Sequence, residues 1–201
     1  MDDVKNQRAG RPWSFDPEQA VETAMRLFWR SGYEGVSIAD LTKEIGVAPP
    51  SLYAAFGSKA GLYREALDCY DEKFGSLDLP SMEAASLPEA VRALLEGAVR
   101  AVTHPDRESG CMISSGMIAY HPEHAPLARD VAARRDAMRE RIAGALRPAL
   151  GADAAQRLAR HLTAVMQGIS IQARDGATLM ELQEIVDEVV AGVEARSSMG
   201  R

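Results

Sequence analysis

Cysteine is nearly absent from this sequence: Cys69 and Cys111 are the only two. That excludes a disulfide framework and makes a reducing cytoplasm the expected setting. Long apolar runs are missing as well. No stretch of about 18 apolar residues exists for a bilayer span, and residues 1–30 hold no apolar block of signal-peptide type, so no membrane partner is expected. Basic charge is also scarce, with 23 Lys and Arg against 29 Asp and Glu and a net charge of -6. Binding of nucleic acid or anionic membrane by bulk charge is thereby excluded, and any DNA binding must be local. A Gly-rich phosphate loop, a Gly-x-Ser-x-Gly elbow and a His-Glu-x-x-His helix are all lacking, so an enzyme is not expected and no cofactor is assigned.

Aromatics are few and unevenly placed. Trp13, Phe15, Phe28, Trp29, Tyr33, Tyr53 and Phe56 fall in the first 56 residues, leaving Tyr63, Tyr70, Phe74 and Tyr120 for the rest. Two cores of different character are expected: a small one filled by bulky rings and a larger one built from Leu, Val, Ile and Ala.

Helix signals recur and strand signals do not, which predicts an all-α fold. Asp16-Pro17-Glu18-Gln19 opens a helix that carries Ala20, Val21, Ala24, Leu27 and Phe28 and stops near Gly32. A two-turn helix starts at Ser37 and ends at Gly46; another, with Pro49 and Pro50 in its first turn, closes at Gly57. Ser58 opens a fourth, ending at Gly75 or Ser76. Ser86 to Glu89 and Thr178 to Glu181 read as capping boxes of later helices. Longer helical patterns cover about 127–150, 153–172 and 178–195. The expected division is an N-terminal arm and three-helix unit over 1–57, a connecting helix over 58–76, and a larger helical domain over 77–201.

A two-turn helix, a Gly-containing turn and a second short helix behind a longer first one have the form of a helix-turn-helix, with an ordinary helical hairpin as the alternative. Residues 10–67 add specificity. Gly10-Arg11-Pro12, Tyr33-Glu34-Gly35, Ser37-Ile38-Ala39-Asp40-Leu41, Ile45-Gly46-Val47, Ser51-Leu52-Tyr53, Phe56-Gly57-Ser58-Lys59 and Leu62-Tyr63 together resemble the DNA-binding domain of the TetR/AcrR family of transcriptional regulators. Gly110-Cys111-Met112 and the Ala173-Arg174-Asp175-Gly176 link match more loosely. The resemblance implies an all-helical homodimer with a ligand-responsive C-terminal domain, bound to a palindromic double-stranded operator and most simply acting as a repressor. An activator or an architectural DNA-binding protein without an inducer is the alternative, and a helical enzyme a remoter one.

By position, the resemblance puts Ser37, Tyr53 and Lys59 on phosphates and Ala48, Pro49, Pro50, Ser51 and Ala54 nearest the base edges, with a core role as the alternative for Tyr53. Hydroxyls, lysine and helix N-terminal N–H groups suit phosphate oxygens. Ala48 and Ala55 depart from the polar or aromatic residues common in the family, so the reading surface is small and apolar, fit to touch thymine methyl groups. Residues 37–59 are neutral, whereas from Val4 to Phe15 Lys5, Arg8 and Arg11 stand with no acid among them, in an arm placed to enter a minor groove. Residues 1–60 carry 7 basic and 8 acidic side chains, so most of the acidity lies in the remainder of the chain.

For a small hydrophobic or amphipathic effector, the flexible apolar set Met112, Met117, Tyr120, Met166 and Ile169 is the expected lining, with ordinary core as the alternative. The stripes Leu158, Leu162, Val165 and Leu182, Val186, Val189, Val190, Val193 are the expected four-helix dimer interface. Cys111, His121, Glu123 and His124 have no convincing zinc spacing, so no metal is assigned. A redox role for Cys111 has no resolving cysteine or cationic cluster behind it.

Overall fold

The computed structural model describes residues 15–76 and 86–199, and every regular element among them is helical. Arg8 and Arg11, with the rest of the basic arm, lie outside the described residues. In order, the helices are α1 (Pro17–Ser31), α2 (Ile38–Ile45), α3 (Pro49–Phe56), α4 (Lys59–Phe74), α5 (Leu87–Val102), the single turn α6 (Met112–Ser115), α7 (Ala125–Leu150), α8 (Ala152–Arg174) and α9 (Leu179–Met199). A 3₁₀ turn, Pro122–His124, leads into α7.

Local chemistry sets the boundaries. The Asp16 carboxylate accepts from the N–H groups of Glu18 and Gln19, and Pro17 supplies a first-turn φ at no hydrogen-bonding cost. Ser37 and Asp40 form a reciprocal capping box at α2, which ends at Gly46 in the left-handed region, φ 78°. The carboxylates of Glu89 and Glu181 reach back to the N–H and hydroxyl of Ser86 and Thr178, at 2.7 to 2.8 Å.

Two apolar cores follow. The first collects Phe28, Trp29, Tyr33, Phe56, Tyr63 and Tyr70 from α1 to α4. Edge-to-face pairs tie it together, with ring centroids 5.0 Å apart for Phe28 and Tyr63 and 4.8 Å for Trp29 and Tyr70. It extends beyond the helix-turn-helix: Met112, Ile113, Met117, Leu127, Ala128 and Val131 complete it from α6, the segment after it and the first turns of α7. The second core, between α5, the last turns of α7, α8 and α9, holds no aromatic among its buried residues. α7 therefore serves both, with Val131 in the first core and Ile142, Ala143 and Leu146 in the second.

This arrangement corrects the expected dimer surface. Leu162, Leu182, Val186, Val190 and Val193 are buried in the second core of the single chain and have almost no surface left for a second copy. Leu158, Val165 and Val189 are only partly buried at its edge. The reason is packing order: α9 lies on α5 and α8 on α7, so the most regular stripes of α8 and α9 face inward. Among the described residues, the large apolar side chains these two helices leave exposed are Ile171, Leu179 and Met180.

Candidate nucleic-acid interface and internal cavity

Leu41 of α2 and Leu52 of α3 are fully buried and fix the angle between the two helices, while the turn is closed by N–H donation from Gly46 and Val47 to the Thr42 carbonyl, both 3.0 Å. What remains outside is the face the sequence pointed to. Ala48, Pro49, Pro50, Tyr53 and Ala54 are exposed and Ser51 partly so. Tyr53 is 45% exposed, which removes the core reading for it.

The N-terminus of α3 is unusual in what it does not offer. Pro49 and Pro50 have no N–H, Ala48 supplies no side-chain cap, and the Ser51 N–H already donates to the Ala48 carbonyl at 3.0 Å. Backbone donors for phosphate are better placed at α2 and α4. The Ser37 hydroxyl is engaged with Asp40 at 2.6 Å, leaving the first amides of α2, those of Ile38 and Ala39, as the donors there. At α4, Ser58 Oγ accepts from the Gly61 N–H at 3.0 Å, and the Lys59 and Ala60 amides precede any intrahelical partner. Lys59 itself is partly buried, its Nζ 4.2 Å from the centre of the Tyr33 ring. Burial pulls its ammonium below the usual lysine value, against the opposing effect of Glu34 and Asp40.

Behind this face, two sets of contacts tie the first three helices to the rest of the chain. Glu34 Oε1 accepts from the His121 N–H at 2.9 Å and lies 2.7 Å from His124 Nδ1. The backbone N–H of His121, then His124, holds the Glu34 carboxyl below the usual carboxylate range. His121 and His124 thus anchor a joint, and among the described residues no group of three or more His, Cys, Asp or Glu is arranged to hold a metal ion. On the other side, Trp29 Nε1 donates to the Gly110 carbonyl at 3.1 Å and Arg30 forms a bidentate pair with Glu108 at 3.0 and 2.7 Å. Arg174 donates to the Arg30 carbonyl at 2.7 Å and to Ser115 Oγ at 3.0 Å. Gly110 sits in the middle, with φ +82°.

A cavity of about 560 Å³ opens between the C-terminal end of α4, α5, the loop after α5, α6, α7 and α8. Tyr70, Phe74, Leu94, Ala98, Met138 and Met166 give it an apolar wall. Of the five side chains expected to line an effector site, Met166 alone is there. Met112 and Ile169 are core residues, at 2% and 0% exposure, and Met117 and Tyr120 border a separate, more open recess of about 410 Å³. Apolar residues in a short helix are drawn into the cores; a cavity is lined by what that packing leaves over. The aromatic end of α4 and the spacing Arg134, Met138, Arg141 on one face of α7 were the readable signals for the lining of this cavity. Cys111 also borders the cavity, partly buried, its Sγ accepting from the Ser114 N–H at 3.4 Å.

A helix-turn-helix with an exposed second helix, mounted on a larger helical body that encloses a cavity, defines a one-component DNA-binding transcriptional regulator. Residues 20–66 match the family model for bacterial regulatory proteins of the tetR family. Over 192 residues the chain is 35% identical to the HTH-type transcriptional repressor ComR of Escherichia coli (strain K12), with 90% of each protein covered. It belongs to the TetR family of transcriptional regulators. The HTH-type transcriptional repressor BdcR of the same strain is 34% identical over 177 residues, covering 86% of each protein. Among solved structures, a cysteine mutant of the TetR family transcriptional regulator CifR, complexed with 26-bp double-strand operator DNA, matches with a TM-score of 0.80 at 34% identity, covering 90% of this chain and 98% of that one.

Proposed function

We propose that the protein is a homodimeric repressor that leaves a palindromic operator when a small apolar or amphipathic molecule enters the cavity. The observation that carries this reading is the course of α4. Its first residues, after Ser58, stand at the DNA face, and its last, Tyr70 and Phe74, form the cavity wall. Sixteen residues of helix make a rigid strut of about 24 Å between the two. A ligand that repositions the C-terminal end moves the N-terminal end, and with it the spacing of the two DNA-binding heads.

On the operator, the Lys59 side chain with the amides that open α2 and α4 holds phosphates, Ser37 orients the first of these by its cap, and Tyr53 reaches a phosphate from α3. Ala48, Pro49, Pro50, Ser51 and Ala54 approach base edges and methyl groups, and Arg8 and Arg11 supply the minor-groove arm. The second copy packs against the outer faces of α8 and α9, where Ile171 and Met180 are exposed and Val165 partly so. Two-fold symmetry in the protein then requires two-fold symmetry in the site. The names of ComR and BdcR, both repressors, support the sign of the response. A coupling of about 1–3 kcal/mol gives roughly 5–150-fold change in operator affinity. Two unpaired thiols fit a reducing cytoplasm.

Selection of bound sites from a random DNA pool, repeated with candidate small molecules, tests the proposal. A palindrome should be enriched, and an effector should abolish the enrichment. Failure to enrich any palindrome overturns the reading.

A further inference from the structure

The cavity wall is apolar at its base but strongly cationic around its edge, and the cations are not equivalent. Among the described residues, Lys73, Arg100, Arg107, Arg134 and Arg141 line it against a single acidic side chain, Asp71. Three of the five have acidic partners: Lys73 is 2.7 Å from Glu22, Arg134 is paired with Asp68 and Asp71, and Arg100 lies 3.8 Å from Glu96. Arg107 and Arg141 differ. Among the described residues, Arg107 has its guanidinium 4.5 Å from the centre of the Phe74 ring, and Arg141 donates to the Gly75 carbonyl at 2.9 Å. Neither has a carboxylate partner there. Both guanidiniums therefore contact the C-terminal end of α4, Arg107 from the loop after α5 and Arg141 from α7.

From this we infer that the effector is an amphipathic anion, with a carboxylate or phosphate head held by Arg107 and Arg141 and an aliphatic body lying against Phe74, Leu94, Met138 and Met166. The inference rests on the reading of this cavity as the effector site. The chemistry follows from the groups present. Guanidinium is the side chain best matched to a two-oxygen anion, being planar, permanently charged and weakly hydrated. An uncharged ligand of the same shape would gain the apolar contacts and leave the charge pattern unanswered; a cationic one would meet an excess of like charge. A head bridging the two arginines would also bind their side chains to a common centre beside Phe74 and Gly75, the last turn of the strut that reaches the DNA face. Binding and displacement of α4 are thus the same event.

The test is calorimetric titration of the full chain with four octyl probes: octanoate, octyl phosphate, 1-octanol and octyltrimethylammonium. One or both anions should bind about tenfold or more tighter than 1-octanol, with the cation weakest. Which anion is preferred identifies the head. In Arg107→Gln/Arg141→Gln the ratio of anion to alcohol affinity should fall to about one while 1-octanol binding is kept, which shows that the cavity is intact. Arg141→Gln alone, on the exposed face of α7, serves if the double variant is poorly folded and should lower the ratio in the same direction. Equal binding of alcohol and anions, or an anion preference that survives the substitutions, overturns the inference. Operator retention, measured with the same probes, separates it from the reading it rests on. Release by 1-octanol with no advantage for the anions removes the anion proposal and leaves the ligand switch. Selective anion binding without release of the operator removes the switch and leaves the anion site.

Discussion

Replacing Gly110 by alanine should be among the most damaging single-methyl changes in this chain. A Cβ built there lies 2.5 Å from Arg174 Cγ, 2.8 Å from its Cδ and 2.9 Å from the Ser170 carbonyl oxygen. At φ +82° an L-residue is also strained by about 1 kcal/mol or more. The Arg174 side chain can rotate away, but it then gives up its hydrogen bonds to the Arg30 carbonyl and Ser115 Oγ, each counted at about 1 kcal/mol because Arg174 is only partly buried. Ser170 belongs to the α8 backbone and its Oγ accepts from the Cys111 N–H at 2.8 Å, so relief on that side moves a helix. The total is about 3–5 kcal/mol, which in a chain of this size lowers Tm by roughly 6–20 °C. Gly144→Ala is the control with the opposite sign. It lies within α7, a Cβ there meets nothing within 4 Å, and the change should stabilise by about 0.5–1 kcal/mol. Urea and thermal unfolding followed by circular dichroism, at one protein concentration for all three proteins, measures both. A Gly110→Ala protein within about 1 kcal/mol of the parent would refute the packing argument.

Lys59→Gln should weaken operator binding at every sequence tested and reduce the slope of log affinity against log salt by about 0.9 per DNA-binding head; an unchanged slope would place Lys59 off the phosphates. Ile171→Glu/Met180→Glu should convert the proposed dimer to a monomer at micromolar concentration, read by analytical ultracentrifugation, with little loss of protomer helicity by circular dichroism, whereas Val190→Glu should unfold the protomer because that side chain is buried. Acid should loosen the joint between the first three helices and the rest. Glu34 is held below its ordinary value of 4.5 by the His121 N–H and His124, and Glu108 by Arg30. A carboxyl with a depressed folded-state value stabilises fully above its unfolded value and loses that stabilisation as pH falls through the folded one. The urea midpoint should therefore drop as pH is lowered below about 4.5, less steeply in Glu34→Gln; parallel slopes in the two proteins would remove Glu34 from the account.

Much of the fold could be read from single residues because helix ends are local events. Asp16 with Pro17, Ser86 with Glu89, and Thr178 with Glu181 each announce a start that the structure realises with the hydrogen bonds those side chains predict. The aromatic bias toward the first third likewise became an aromatic first core and an aliphatic second one. Which way an apolar stripe faces is a different kind of fact. Val186 and Val190 follow the same periodicity whether they meet α5 of their own chain or a second copy, so sequence spacing alone does not separate core from interface. The cavity was less legible still. Its wall is assembled from several separate elements, and residues such as Arg107 and Arg141 have no apolar pattern to mark them. The double proline of α3 is plain in the sequence; that the next amide, of Ser51, is also taken depends on its hydrogen bond to the Ala48 carbonyl, which spacing does not reveal.

The helix α7 is held at its two ends by different interiors. Its early residues Leu127 and Val131 are set in the aromatic core and its later ones, Ile142 and Leu146, in the aliphatic core. Twenty-six residues of helix, whose ladder lacks a donor only in its last turns at Pro148 once the first turn is passed, thus share their melting between two hydrophobic interiors. Neither interior can be exposed without fraying the rod that the other grips, so heat should disassemble the molecule as one cooperative unit, giving a single calorimetric peak where two separable lobes would give two.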